Sequence, residues 1–214
     1  MKKEVLGSID DFNAIAAIWD EKPQRIHLAR AVADAVAEHI PLNADMAALD
    51  FGCGTGLVTF HLLQQLHHVT AMDSAAQMLA VFAEKAAELR VDNVATESVC
   101  AEKPVIGCNR FDLIYSSMVL HHVVDLETAI AQLVAALKPG GYIALADLDS
   151  EDGDFHDNPR GVAHNGIDRH WLRNKFSVLG LTDIGCCTAH VITKSRNGIN
   201  KDYPVFLVWG CLDG

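Results

Sequence analysis

In the stretch AALDFGCGTGLVTF, residues 47–60, Gly52, Gly54 and Gly56 alternate just beyond an acidic Asp50. A glycine-rich turn between a strand and a helix brings backbone N–H groups and a helix N-terminus against a ligand. The dinucleotide fingerprint G-x-G-x-x-G is broken here, because Leu57 stands where its third glycine belongs. A Walker A loop is excluded as well, since no Gly-Lys-Ser/Thr follows. A carboxylate at the strand end repels a pyrophosphate and suits a ligand carrying ammonium and sulfonium groups. Asp73 closes the next apolar run, where a carboxylate can accept two hydrogen bonds from a ribose diol. Cys53, inside the turn, reads as a small filler rather than a nucleophile.

A second set of chemically capable residues lies downstream. His121 and His122 follow the apolar run FDLIYS, residues 111–116, and His156, His164 and His170 fall in and just after a polar loop. A neutral imidazole can deprotonate a hydroxyl, so His122 and His164 are the candidates for a general base. No cysteine or close His-x-His partner accompanies them, and no metal site is expected. The six cysteines form no CxxC pair, and the adjacent Cys186 and Cys187 lack ligand spacing; all are expected as reduced thiols.

Positioning these residues requires a layered scaffold. Phe12, Ile15, Ile18 and Trp19 have helical spacing, and Pro23 suits the first turn of a helix carrying Ile26, Ala29, Ala33, Val36 and Ile40. Beyond Pro41, short apolar runs alternate with helical patterns. Strands are predicted at 47–51, 67–73, 94–99 and 111–116, with another in YIALADL after the Lys138-Pro139-Gly140-Gly141 turn. Helices are predicted from about Thr55, over 75–89, and after the cap Asp125. This alternation implies right-handed βαβ units and a parallel sheet buried on both faces. The tail differs: a helix near 168–178 precedes strand-like runs at 184–192 and 203–210, joined by the turn-forming SRNGINKD as an antiparallel hairpin. The fold class is therefore α/β, three-layered, mostly parallel, with seven strands and an antiparallel C-terminal hairpin.

At 214 residues the chain is expected to be one domain, divided as a helical cap (1–41), a ligand-binding core (42–148) and an acceptor-side loop, helix and hairpin (149–214). Its formal charge is −11, and residues 1–149 hold 10 Lys and Arg against 20 Asp and Glu. Such a surface disfavours nucleic acid as a partner. No apolar run approaches the ~20 residues of a membrane helix, and MKKEVLGSIDDF has no apolar signal region. A cytoplasmic protein without a membrane span is expected.

LDFGCGTG, VTAMDSAAQML, FDLIYSSMVLHHV and LKPGGYIALAD, in this order over residues 47–147, resemble the class I S-adenosylmethionine-dependent methyltransferases. The likeness is to the small-molecule branch typified by ubiquinone/menaquinone-biosynthesis enzymes, of methyltransferase type 11/12, and it implies a Rossmann-like fold. By that resemblance Gly52, Gly54 and Gly56 let the backbone approach the methionine part, and Asp50 orients the turn and the amino group. Asp73 holds the ribose hydroxyls, and Ser74 and Met78 flank the nucleoside. VCAEKP receives the adenine, with Cys100 where the family often has an acidic residue, an N–H from Ala101, and Glu102 as a substitute acceptor. Ser116 lies at the mouth between cofactor and substrate, His121 contributes to the pocket, and Trp19 and His156 cover the acceptor.

The function that follows is methyl transfer from S-adenosylmethionine to an unidentified small-molecule acceptor, with S-adenosylhomocysteine as product. YSSMVLHH lacks the Asn/Asp-Pro-Pro-aromatic signature of enzymes that methylate exocyclic or amide nitrogens. Two alternatives stay open: a cofactor-binding regulatory or partner subunit without catalysis, and an NAD-dependent oxidoreductase of similar architecture.

Overall fold

A computed structural model describes residues 8–99, 106–196 and 198–214. Ser8 opens helix α1 (Ile9–Ile15) with a capping box: its hydroxyl accepts from the Asp11 N–H, and Asp11 accepts from the Ser8 N–H. A 3₁₀ turn, Ala16–Glu21, leads to α2 (Pro23–His39), where Pro23 occupies the first turn at no hydrogen-bonding loss. Strand β1 (Ala47–Phe51) follows, then α3 (Thr59–Leu62), β2 (His68–Asp73), α4 (Ala76–Leu89), β3 (Val94–Ser98) and β4 (Phe111–Ser117). Helix α5 (Leu126–Ala136), β5 (Leu137–Leu148), α6 (Arg169–Val178), β6 (Leu181–Arg196) and β7 (Ile199–Leu212) complete the chain.

The seven strands form one sheet in the order β3-β2-β1-β4-β5-β7-β6. Strands β1 to β5 are mutually parallel, while β7 pairs antiparallel with both β5 and β6. Because side chains alternate across a strand, one sequence run feeds two cores. Ala48, Val69, Leu113, Tyr115, Ala144, Val205 and Leu207 pack with α2 and α3 on one face. Leu49, Met72, Ile114, Ile143, Leu145, Phe206 and Val208 pack with α5 and α6 on the other. Both faces are dry, so these strands read as near-continuous apolar runs.

The strand order reverses beside β1, whose neighbours β2 and β4 carry chain connections in opposite directions across the sheet. In an open α/β sheet the crevice at the carboxyl ends of such strands is the ligand-binding place. Asp50, Asp73 and Ser116 all lie at those ends.

Three local expectations differ from the structure. The helix expected from Thr55 begins only at Thr59 and lasts one turn before a 3₁₀ turn at Leu63–Gln65, because the Thr55 hydroxyl is engaged with Asp20 rather than capping. Strand β5 starts at Leu137, ahead of the Pro-Gly-Gly turn, and crosses it with an irregularity in its pairing to β4. The hairpin strands run longer than expected and pair to Arg196 and Ile199 at the tip.

The 149–166 segment returns to the sheet through a parallel bridge between Asp149 and Ile167. Gly166 there is left-handed at φ +70°, and a Cβ would sit 2.0 Å from the Asp149 carbonyl oxygen. Gly166→Ala should therefore lower stability by about 1–3 kcal/mol, seen as a fall in Tm by calorimetry.

Candidate active site

The chain leaves β1 at Phe51 and turns back on the end of β2. The N–H groups of Gly52 and Cys53 donate to the Met72 carbonyl at 2.7 and 2.9 Å. Gly54 N–H donates to Asp73 Oδ2 at 2.8 Å, and Ala75 N–H to Asp73 Oδ1 at 2.8 Å. The Ser74 N–H also donates to this carboxylate, so of its about four accepting positions one stays open to a ligand hydroxyl. Gly52 is needed for close packing, since a Cβ there would lie 2.2 Å from Val119. Gly54 is needed on the other side: at φ +54° its missing Cβ faces open space, with no atom within 4 Å. Gly56 packs against Phe82 and Phe60 and shapes the loop from beneath.

Asp50 is buried below this loop. Its Oδ2 accepts from Thr59 Oγ1 at 2.6 Å, and Thr59 Oγ1 lies 3.0 Å from the Tyr115 hydroxyl. Burial pushes the Asp50 carboxyl up to about 7, the Thr59 hydrogen bond opposes this, and the charge of Asp73 adds to it. Burial also raises Asp73, against the N–H groups of Ala75, Gly54 and Ser74. Two desolvated carboxylates of like charge favour a cationic ligand. Cys53, buried against Ala71 and Phe82 and raised by burial, is the filler it was read to be.

The N-terminal segment is fastened over this loop. Asp20 accepts from the Thr55 hydroxyl at 2.6 Å and from Lys85 Nζ at 2.7 Å, and Lys85 also donates to the Thr55 carbonyl at 2.8 Å. Ala75 cannot cap α4 with its side chain; Asn13 of α1 instead accepts from the Gln77 N–H at 2.9 Å. Phe12 and Trp19 pack edge to face at 5.8 Å, beside Ala16, Ala75 and Met78. Met78 is thus buried beneath the segment that Trp19 belongs to.

At the end of β4, Ser116 is buried and donates its hydroxyl to the Phe51 carbonyl at 2.7 Å, tying β4 to the start of the glycine loop. Met118 is left-handed at φ +60° without being glycine, and the chain then winds into a 3₁₀ turn at Leu120–His122. His121 is 1% exposed, with Nδ1 2.6 Å from Asp147 Oδ1. Burial works to raise Asp147, but the His121 ring and the N–H groups of Leu148 and His121 outweigh it and hold the carboxyl below its ordinary value. His122 is half-buried, with Nδ1 2.8 Å from the Gly161 carbonyl. Burial, then His121, lowers it to about 4. His156 lies 5.1 Å from His121 and 5.9 Å from His122 between ring centres, and its Nε2 is buried with no hydrogen-bond partner.

The loop bearing His156 is clamped by the hairpin. Lys201 reaches Asp152 and Asp154, the Tyr203 hydroxyl donates to Asp154 at 2.9 Å, and Lys194 donates to the Phe155 carbonyl at 2.9 Å. His164 lies apart, its Nε2 2.9 Å from the Val123 carbonyl, on the wall of a cavity of about 310 Å³ with Trp171 and Asp168. His170 is exposed in the first turn of α6. Among the described residues no group of His, Cys, Asp and Glu could hold a metal ion. Cys100, Ala101 and Glu102 lie outside the described residues.

Asp50, Gly52, Gly54, Gly56, Asp73 and Ser74 are therefore gathered around one crevice, and Ser116, His121, His122 and His156 follow beside it. Sequence reasoning missed Asp20, Thr55, Thr59, Lys85 and Asp147 as partners in the site. Only Asp147 carried a signal, as an acid inside the quoted YIALAD strand; Thr59 joins Asp50 across 9 residues, and Asp20, Thr55 and Lys85 join one another across 30 to 65.

A Rossmann-like sheet with an acidic glycine loop and carboxylates closing its first two strands defines an α/β protein of doubly wound type. The model of the methyltransferase domain family matches residues 49–145. An uncharacterized methyltransferase of Schizosaccharomyces pombe is 30% identical over 175 residues, 75% of this chain and 60% of that protein. A malonyl-(acyl-carrier protein) O-methyltransferase of Enterobacter lignolyticus is 32% identical over 144 residues, 64% of this chain and 55% of that protein. The chain thus spans somewhat over half the length of these relatives. A SAM-dependent methyltransferase from Aquifex aeolicus has the same fold, with a TM-score of 0.67 at 19% identity over 97% of this chain and 100% of that one. Residues 49–145 thus match a methyltransferase domain, the chain is similar over three quarters of its length to a methyltransferase, and it has the fold of S-adenosylmethionine-dependent methyltransferases.

A cofactor seated against these carboxylates would bind in a pH-dependent way. Asp50 is raised when folded, so the free protein gains stability from its proton below about pH 4 and loses it as pH rises through about 7. A cationic ligand favours the ionised form, so binding S-adenosylmethionine should release protons below about pH 7 and tighten as pH rises. Calorimetry at about pH 6 and about pH 8, in buffers of different ionisation enthalpy, reads this release. Asp50→Asn should remove the larger part of it, leaving only the contribution of Asp73.

Proposed function

We propose that the protein transfers the methyl of S-adenosylmethionine to a small-molecule acceptor by in-line displacement in the crevice at the ends of β1 and β4. The observation that carries this is Asp73: a half-buried carboxylate at the end of β2, held by the N–H groups of Gly54, Ser74 and Ala75 with an accepting position still open, beside the open side of Gly54. The residues present fit the cofactor. Asp73 would receive the ribose hydroxyls, Asp50 would offset positive charge, and the Gly52–Gly54 backbone would admit the methionine part.

Bound there, S-adenosylmethionine supplies an electrophilic methyl on a sulfonium whose departure needs no proton. The protein's task is then alignment and exclusion of water. In this reading residues 1–41 cap the crevice, 42–148 hold the cofactor, and 149–214 form the acceptor side. A crevice fastened under Phe12 and Trp19 by the Asp20–Thr55–Lys85 contacts suits a small acceptor better than a polymer. The net charge of −11 points away from nucleic acid. No helix among the described residues is long and apolar enough to cross a membrane. One relative's name is that of an O-methyltransferase, in keeping with a small acceptor.

Incubated with S-adenosylmethionine and pooled candidate acceptors, the protein should form S-adenosylhomocysteine, read by mass spectrometry. Asp73→Ala should weaken S-adenosylhomocysteine binding by about a hundredfold, since it removes charge-assisted hydrogen bonds to the diol. Binding without turnover across broad pools would leave a cofactor-binding subunit instead, and no binding at all would sink the reading.

A further inference from the structure

Five histidines surround the acceptor side, and their hydrogen bonds separate their roles. His121 is buried, with its Nδ1 on Asp147 and its main-chain carbonyl accepting from the N–H groups of Ala163 and His164. That arrangement makes it a strut between β4, β5 and the 149–166 loop. His164 has Nε2 on the Val123 carbonyl and no ring contact with the others, and His170 is exposed. His156 is held from behind by the hairpin, in edge contact with Phe155 at 4.8 Å.

His122 differs. A carbonyl oxygen can only accept, so the Gly161 carbonyl at 2.8 Å makes Nδ1 the protonated nitrogen of a neutral ring. The lone pair is then on Nε2. This is the orienting logic of a histidine base held by a third group, with a main-chain carbonyl in place of a carboxylate. The ring sits where three parts of the chain meet. Phe12 of the N-terminal segment contacts it edge to face at 5.3 Å, His121 lies at 4.1 Å, and His156 of the 149–166 loop at 5.9 Å. Burial, then the neighbouring His121 ring, lowers His122 to about 4, so the ring is uncharged at neutral pH and the lone pair is available.

The other nearby groups cannot take a proton from an acceptor as readily. The Ser116 hydroxyl is engaged by Phe51, Asp147 by His121 and two N–H groups, and Asp50 by Thr59. A hydroxyl meets what it needs, a proton acceptor, with the buried Nε2 of His156 nearby for a second hydrogen bond.

We propose that His122 is the general base of this protein, and that the acceptor is a hydroxyl, un-ionised at neutral pH, whose proton passes to His122 Nε2 as its oxygen is methylated. His122 takes the proton while the O–C bond forms and the C–S bond breaks, the bonding pair leaving with sulfur. The proton then passes from the imidazolium to solvent. The assignment rests on the methyl-transfer reading above and names the acceptor class within it.

The test compares acceptors that need a base with one that does not. Hydroxylated aromatics are the probes, because Phe12, Trp19 and Phe155 place rings around this side. 4-Nitrothiophenol, a thiolate at neutral pH, is the control. His122→Asn keeps a donor for the Gly161 carbonyl and removes the base. Its kcat on catechol or the best hydroxyl probe should fall by about a hundredfold or more, with KM little changed. Its kcat on the thiolate should stay within about threefold of wild type. His122→Ala, with S-adenosylhomocysteine binding as the check on folding, should recover part of its hydroxyl activity when imidazole is added. Equal losses on both acceptors, or no loss on either, would overturn the assignment. A wild type that binds S-adenosylhomocysteine yet converts no hydroxyl probe overturns the acceptor class alone, whereas one that fails to bind overturns the reading beneath it.

Discussion

The structure turns on two carboxylates of like sign, taken out of water at the ends of adjacent parallel strands. Burial raises the proton affinity of both Asp50 and Asp73, the charge of Asp73 adds to the rise at Asp50, and the chain around them is arranged to hold them there. The Thr59 hydroxyl, itself paired with Tyr115, donates to one; the N–H groups of Gly54, Ser74 and Ala75 donate to the other. A buried charge without such partners would neutralise or unfold its surroundings, so the glycine loop must close on Asp73 as it does. That requirement fits the left-handed Gly54, whose N–H it turns toward the carboxylate. It also explains why the site favours a cation over the phosphates bound by glycine loops of related architecture.

The same economy of partners extends outward. Thr55 is drawn from its expected capping position to Asp20, and Lys85 joins both, so the N-terminal segment becomes a wall of the crevice. Asn13 satisfies the otherwise uncapped start of α4. On the opposite side, the long hairpin reaches past the sheet and clamps the 149–166 loop through Lys201, Tyr203 and Lys194. His121 and Asp147 join the two halves beneath that loop. Each enclosing part is fastened by one or two polar contacts to a rigid strand end. Such polar contacts are directional, which makes the enclosure specific in shape.

Much of this was readable in advance, for reasons that can be stated. Strand and helix alternation is local, so β1, β2, β4 and α5 were predicted within a residue or two. The glycine spacing, Asp50 and Asp73 are motif-like because backbone approach and a strand-end carboxylate each demand one residue type. The hairpin was legible from its turn residues, though its length was not: strand ends are set by the partner strand, which sequence does not display. The helix at Thr55 was misplaced for a similar reason. A threonine's capping preference is worth only about 1 kcal/mol, and a carboxylate 35 residues away, itself paired with Lys85, outweighs it.

What the sequence alone determined is the scaffold and the cofactor class: a two-faced parallel sheet, a glycine loop too irregular for a dinucleotide, and two acids spaced for a nucleoside. These depend on periodicity and on residue types that only one backbone conformation accepts. What the tertiary structure decided is the division of labour among residues that look alike in the chain. His121 and His122 are neighbours in sequence, but one is buried on Asp147 and the other is oriented by Gly161, because β5 and the 149–166 loop meet them from different sides. Hydrogen-bond partners 26 and 39 residues away set those environments, and only folding brings them together.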